Sequence, residues 1–438
     1  MTEYDNITER HGARGVPVGG VPVGGVQARA LTLSALPANA YGPAGEPARA
    51  YVLFDVRARA SGHGARLPLN LSLALDRSGS MEGAPLEYVK RACAYVVDLL
   101  EPDDFLSVVA FGEDADVVLP ARRVTNKALL KDYIQRIQTG HTTNLSEGLL
   151  VACRQIASVK TPGTLNRVLL LSDGGPTAGD RDFASIVGQA GEQKARGITV
   201  TALGLGPDYD EELLSGIARR AGGNFYDVAR PELIPDIFRR ELDVLARVSA
   251  RNLRLRLLLA RGVSVRQVYG RQPVLGPRTG EASLSDVEQG TGLVSLWELE
   301  AVPRPAGSYR LAVAELLYDD ALTGRAERAT ADVVMEFTAD RMQIGVGAEA
   351  RAEAELALAR TARALDKCLR ASPVGNPDGV DRAAALREMD RTKTLLLEQG
   401  RLAQAQQITQ AMQEVGGGGS VGKTLTGVIF ALDQGRTR

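Results

Sequence analysis

The residues best suited to chemistry are Asp76-Arg77-Ser78-Gly79-Ser80-Met81. They place one carboxylate and two hydroxyls at alternate positions, D-x-S-x-S. On a tight loop such donors converge on a small, hard cation, and an all-oxygen set suits Mg²⁺ better than Zn²⁺. Two other stretches carry similar groups. Gly140-His141-Thr142-Thr143-Asn144-Leu145 offers hydroxyls just before a predicted helix. Ser172-Asp173-Gly174-Gly175 offers a carboxylate at the end of a predicted buried strand, beside glycines that let backbone approach closely. Taken singly, Ser and Asp after strands commonly cap helices or make turns.

The elements that must position these loops are legible in the apolar pattern. Leu69, Leu71, Leu73 and Leu75 alternate in the run from Leu67 to Leu75, which predicts a buried strand ending at Asp76. A helical pattern begins near Pro85, with Leu86, Val89, Cys93, Val96 and Leu100 at helical spacing. The loop therefore lies where a strand ends and a helix starts, the place where ligands bind in open α/β sheets. Further strands are predicted at 105–111, 116–119, 167–172, 198–205 and 224–228. Further helices are predicted at 127–138, 145–157, 182–195 and 211–221, and from Pro235. This alternation calls for a mostly parallel sheet covered on both faces.

Asp76-x-Ser78-x-Ser80, the following Thr143-Asn144-Leu145-x-x-Gly148-Leu149, and Leu169-Leu170-Leu171-Ser172-Asp173-Gly174 together resemble a von Willebrand factor A domain with its complete metal-ion-dependent adhesion site. The resemblance spans about Leu67 to Val248 and implies a Rossmann-like α/β fold. It implies that Ser78 and Ser80 ligate a Mg²⁺ (or Mn²⁺) directly and that Thr143 does so in the engaged state. Asp76 and Asp173 would hold the cation largely through water and hydrogen bonds. Few charged direct ligands leave such a metal electrophilic, so an Asp or Glu from a partner protein completes its coordination. The implied function is non-enzymatic, metal-dependent protein binding, as in the inserted A-type domains of integrin β chains and some bacterial proteins. A second reading is an adaptor that couples an AAA+ ATPase of MoxR or chelatase type to its client. A third, a metal-dependent hydrolase, needs a general base near Asp76, and the sequence nominates none.

Around this segment the apolar period switches to two. Strands predicted at 27–36 and 48–60, and again beyond Arg251, make a discontinuous β-sandwich into which the α/β domain is inserted. The expected organisation is an N-terminal arm at 1–26, sandwich at 27–66 and 249–340, A domain at 67–248, a helical unit at 341–414, and a Gly-rich linker and tail at 415–438. The arm repeats Val-Pro-Val-Gly-Gly, a composition of extended or edge segments. The apolar tail Val421–Leu432 is expected to dock on something. Gly417 to Thr424 formally matches a phosphate-binding loop, but a helical pattern precedes it where that loop needs a strand.

With 438 residues the chain exceeds one ordinary core, hence several domains. A net charge of −1 provides no field for nucleic acid or an anionic membrane. No apolar run is long enough for a membrane span, and the first residues do not form a signal peptide. The Arg-, Ala- and Gly-rich composition suggests a bacterial gene. The three cysteines are far apart, expected as buried thiols, and favour a reducing cytoplasm.

Overall fold

The computed structural model describes residues 30–58, 67–344, 349–370, 381–417 and 421–437, apart from positions 160, 162, 207, 229, 322 and 434. The Val-Pro-Val-Gly-Gly arm and most of the glycine stretch before Val421 lie outside the described residues.

Strands β1 (Leu31–Pro37), β2 (Tyr41–Pro43) and β3 (Ala48–Ala58) come first. An alternating series follows: β4 (Leu69–Asp76), α1 (Ala84–Leu99), β5 (Phe105–Phe111), β6 (Ala115–Arg123), α2 (Lys127–Gln135), α3 (Leu145–Ser158), β7 (Leu165–Ser172), α4 (Phe183–Ala195), β8 (Thr199–Leu205), α5 (Glu211–Ala221), β9 (Phe225–Val228) and α6 (Ile234–Ala246). Strands resume with β10 (Val248–Leu259), β11 (Val263–Val268), β12 (Val274–Gly276), β13 (Thr279–Ser283), β14 (Val287–Glu288), β15 (Gly292–Ala301), β16 (Gly307–Asp320) and β17 (Ala326–Thr338). Helices α7 (Arg341–Ile344), α8 (Ala350–Arg370), α9 (Arg382–Glu398), α10 (Leu402–Gly416) and α11 (Val421–Asp433) precede a final β18 (Arg436–Thr437). These elements form two compact units, one of residues 63–248 with 422–430, the other of the remainder.

In the α/β unit the sheet order is β6-β5-β4-β7-β8-β9. All pairs are parallel except the β5–β6 hairpin. Every residue of β4, β7 and β8 is buried, as a strand covered on both faces requires. Ala74, Val168 and Leu170 face α3, α4 and α5. The alternate residues Leu71, Leu73 and Leu75 serve the opposite face. From β4 the chain first builds outward through β5 and β6, then returns to lay β7 on the other side of β4. The seam between β4 and β7 is thus the topological switch point, where a ligand crevice opens beyond the strand ends. Glu241 on α6 is fully buried and fastens that helix to two strands. It accepts from Thr201 Oγ1 (3.0 Å), Asn224 Nδ2 (2.5 Å) and the Tyr226 hydroxyl (2.5 Å).

Helix α11 belongs to this unit although it lies near the end of the chain. Its Phe430 ring packs edge-on against Phe225 of β9, with centroids 5.9 Å apart. Lys423 sits over the Tyr209 ring, 3.9 Å from its centroid, and donates to the Gly206 carbonyl at 3.5 Å. The expected docking of the apolar tail is accordingly found, as a helix. The Gly-Lys-Thr at 422–424 lies on that helix, and among the described residues the element before it is helix α10, where a phosphate-binding loop needs a strand.

In the other unit, a sheet of order β1-β3-β15-β11, with β18 beside β15, shares a core with a sheet of order β12-β13-β10-β16-β17-β2, with β14 beside β10. Phe54 and Trp297 meet edge-to-face in that core, centroids 6.2 Å apart. The opposite face of β3 is also covered. Leu53 packs with Val294, Leu296 and Ala352 and Leu356 of α8, and Arg351 Nη2 reaches Asp55 Oδ1 at 3.0 Å. The helical segment after β17 therefore belongs to the same compact unit as the sandwich.

Gly148, in the first turn of α3, shows why that helix lies so close to the sheet: a Cβ there would stand 2.4 Å from Cδ1 of Phe111. Gly148→Ala should destabilise the protein by about 1–3 kcal/mol, the usual cost of overpacking, read as a shift of the denaturant midpoint.

Candidate metal centre

Asp76 ends β4 and is fully buried. Its two carboxylate oxygens take separate donors. Oδ1 accepts from the backbone N–H of Ser78 at 2.8 Å, and Oδ2 accepts from the Ser172 hydroxyl at 2.6 Å. A single 3₁₀ turn at Gly79–Met81 then folds the loop over, anchored by the fully buried Met81 side chain. The turn brings the Ser78 and Ser80 hydroxyls within 3.2 Å of each other. Ser80 Oγ also donates to Asp173 Oδ1 at 2.8 Å. Asp76, Ser78, Ser80 and Asp173 thus form one hydrogen-bonded cluster at the seam of the sheet.

Thr143 sits on a second loop that the main chain ties to the first, and its own described bonds run to Thr177 and Ala178. The Gly140 N–H donates to the Arg77 carbonyl at 2.6 Å, which ties the second loop to the first. Asn144 caps α3, accepting from the Glu147 N–H, while its Nδ2 donates to the Glu147 carboxylate at 2.9 Å. Thr143 itself is 4% exposed. Its N–H donates to Thr177 Oγ1 at 2.9 Å, and its carbonyl accepts from the Thr177 and Ala178 N–H groups at 3.0 and 3.2 Å. His141 is an exposed loop residue whose carbonyl accepts from Gly79.

The electrostatics are those of an anionic pocket. Burial raises Asp76 to about 6; the hydrogen bonds from Ser172 and Ser78 oppose that rise and the neighbouring Asp173 adds to it. Asp173 is also raised, chiefly by burial, with Asp208 contributing and the Ser80 hydroxyl opposing. Among the described hydrogen bonds and ion pairs, neither carboxylate meets a basic side chain. Arg77, next in sequence to Asp76, is turned instead to Asp116, 2.6 Å away.

This donor set fits a small hard cation. The candidate donors are all oxygen, and the negative charge is held without an internal counter-charge. Among the described residues no three His, Cys, Asp or Glu side chains gather as a metal site, so a cation here would depend on hydroxyls as well as carboxylates. Cys93 and Cys153 are buried free thiols away from this chemistry; burial pushes Cys153 up to about 12. Ser172 and Thr177 carried no role in the sequence reading. A hydroxyl interrupting the Leu169–Leu171 run was a usable signal for Ser172; Thr177 offered none.

The raised Asp76 has a measurable consequence. Its folded-state value lies above the unfolded 3.8, so the native state holds the proton more tightly. The metal-free protein then loses stability as pH rises from about 4 to about 6. In EDTA at pH 7, Asp76→Asn should be more stable than wild type by up to about 3 kcal/mol, and near pH 4 the two should melt alike.

Comparison with known proteins bears on the fold. The family model for the von Willebrand factor type A domain matches residues 70–240. An uncharacterized protein of Synechocystis sp. is 36% identical over 205 residues, 47% of this chain and 48% of that one. The human inter-alpha-trypsin inhibitor heavy chain H2 is 30% identical over 175 residues, 36% of this chain and 18% of that one. The chain thus spans about half or less of the length of these curated relatives. Two solved structures share the fold at low identity. A von Willebrand factor type A protein from Catenulispora acidiphila has a TM-score of 0.70 at 20% identity, covering 87% of this chain and 91% of its own. The ArnB paralog VWA2 from Sulfolobus acidocaldarius has a TM-score of 0.66 at 16% identity, covering 93% of this chain and 99% of its own. Residues 70–240 of the chain are therefore a von Willebrand factor type A domain, with the three loops at the carboxyl ends of its central strands.

Proposed function

We propose that this protein is a non-catalytic, metal-dependent binding module that recognises an acidic side chain on a partner protein. The observation that carries the reading is the convergence of one buried and one half-buried carboxylate with two hydroxyls, from separate loops, without a basic side chain among their described hydrogen bonds and ion pairs. Ser78, Ser80 and Thr143 would offer neutral oxygens to a Mg²⁺ or Mn²⁺, and Asp76 and Asp173 would hold it through water and hydrogen bonds. When bound, the cation supplies an electrophilic position that the partner's Asp or Glu fills. Neutral direct ligands favour that outcome, because they leave most of the cation's charge uncompensated.

A hydrolytic reading has less support. Metal-assisted hydrolysis needs a base within reach of the attacking water. The described hydrogen-bond partners of Asp76, Ser78, Ser80 and Asp173 are hydroxyls, backbone amides and each other, with no histidine among them. The oxygen-rich cluster suits holding a cation better than activating a water.

The test is affinity capture with the full chain, as wild type and Asp76→Ala, in Mg²⁺ and in EDTA. A partner recovered only by wild type in Mg²⁺ supports the reading. Recovery that is unchanged by EDTA and by Asp76→Ala places binding elsewhere on the chain and rejects it. In the same protein, Asp76→Ala should weaken Mn²⁺ binding by more than about 100-fold, beyond the range usual for groups that only support ligands.

A further inference from the structure

One short segment, the end of β7 and the loop after it, touches both of the other loops. Its first residue, Ser172, donates to Asp76 Oδ2 at 2.6 Å and lies 3.1 Å from the carbonyl of Gly174. Asp173 accepts from Ser80. Four residues later Thr177 pairs with Thr143 in both directions, Oγ1 accepting from its N–H and N–H donating to its carbonyl. Gly179 follows with a φ of +69°, and a Cβ there would stand 2.1 Å from Asn144 Oδ1. The segment thus wraps closely around the turn that carries Thr143.

We propose that Ser172 and Thr177, which stand outside the five candidate oxygen donors, are positioning residues of the metal centre. Ser172 orients the Asp76 carboxylate, and Thr177 sets the height of the Thr143 loop. The proposal rests on the metal-binding reading above. The physical reason is directional. A carboxylate with one oxygen pinned by a backbone N–H can still swing about that bond; the second donor removes the swing and leaves the remaining lone pairs facing the cluster. Ser172 is fully buried, so no bulk water takes its place when the hydroxyl is removed. Thr177 acts differently. Its hydroxyl oxygen is the acceptor described for the Thr143 N–H, and without it the contact between Thr143 and residues 177–178 keeps only the two bonds to the Thr143 carbonyl. Ser172 therefore fixes an angle and Thr177 a distance between loops.

Outer groups that orient metal ligands typically cost 10–100-fold in metal affinity when removed. The experiment measures Mn²⁺ affinity by calorimetry on the full chain, for wild type, Ser172→Ala, Thr177→Val, Ser172→Thr, Thr177→Ser and Asp76→Ala. Melting temperature in EDTA reports the fold separately, and its rise on adding Mn²⁺ reports the site. The expected result is at least about a ten-fold loss for Ser172→Ala and Thr177→Val, with the hydroxyl-retaining variants Ser172→Thr and Thr177→Ser binding near wild type. Wild-type affinity in Ser172→Ala and Thr177→Val, alongside loss in Asp76→Ala, overturns the positioning roles and leaves the metal site standing. Equal Mn²⁺ binding by wild type and Asp76→Ala overturns the metal site itself. Thr177 is exposed, so Thr177→Val is chosen to retain the fold where Ser172→Ala does not, and its affinity then decides the outcome.

Discussion

A carboxylate taken out of water at the seam between β4 and β7 is the constraint on which the α/β unit depends. Asp76 is fully buried, and that burial weakens its ordinary preference for ionisation. Two precise donors make it tolerable, one from its own loop and one from the neighbouring strand. The parallel register that sets Leu75 beside Leu171 is what brings Ser172 within reach. The sheet order, the seam and the hydroxyl are parts of one solution to the same problem. Asp173 repeats the theme at the next strand end, and the absence of a described cation beside either group leaves a net negative pocket. Such a site holds free energy that an added counter-charge can release.

The α/β domain was legible because its strands are buried on both faces. The alternating leucines of Leu69–Leu75 and the apolar run Val168–Leu171, separated by amphipathic helices, have few alternative folds. Three loops at strand ends then had to meet, and Asp76, Ser78, Ser80 and Asp173 do. Thr143 was legible as a helix-start hydroxyl, but its tether was not. Thr177 is an exposed threonine in an irregular loop, and nothing in its spacing distinguishes it from any other turn residue. Its partner is reached only once the fold closes.

The flanking regions read less completely for a related reason. Alternation along β3 announced a half-buried strand, with Leu53 and Asp55 on the face away from Val52 and Phe54. That second face is in fact covered, by a helix almost three hundred residues away in sequence: Arg351 ion-pairs with Asp55, and Leu356 packs near Leu53. The short strands β11 to β14 also escaped the periodic reading. Two of them, β12 and β14, have only three and two residues, too few to establish a period.

Helix α11 changes how the protein must be assembled in time. The Phe430 ring that covers Phe225 belongs to the α/β unit, yet some 170 residues of another unit separate it from the end of α6. The sandwich is split in the same way, since β3 pairs with β15 across the entire insertion. Contacts between segments so distant in sequence form slowly, because the intervening chain must be closed into loops first. During synthesis the α/β unit emerges early but stays open along β9 until residue 430 has been made. Its apolar edge is exposed to other chains for the tens of seconds that translation of the intervening segment takes, at roughly 5–20 residues per second. A fragment cut at the family boundaries carries that unfinished edge permanently.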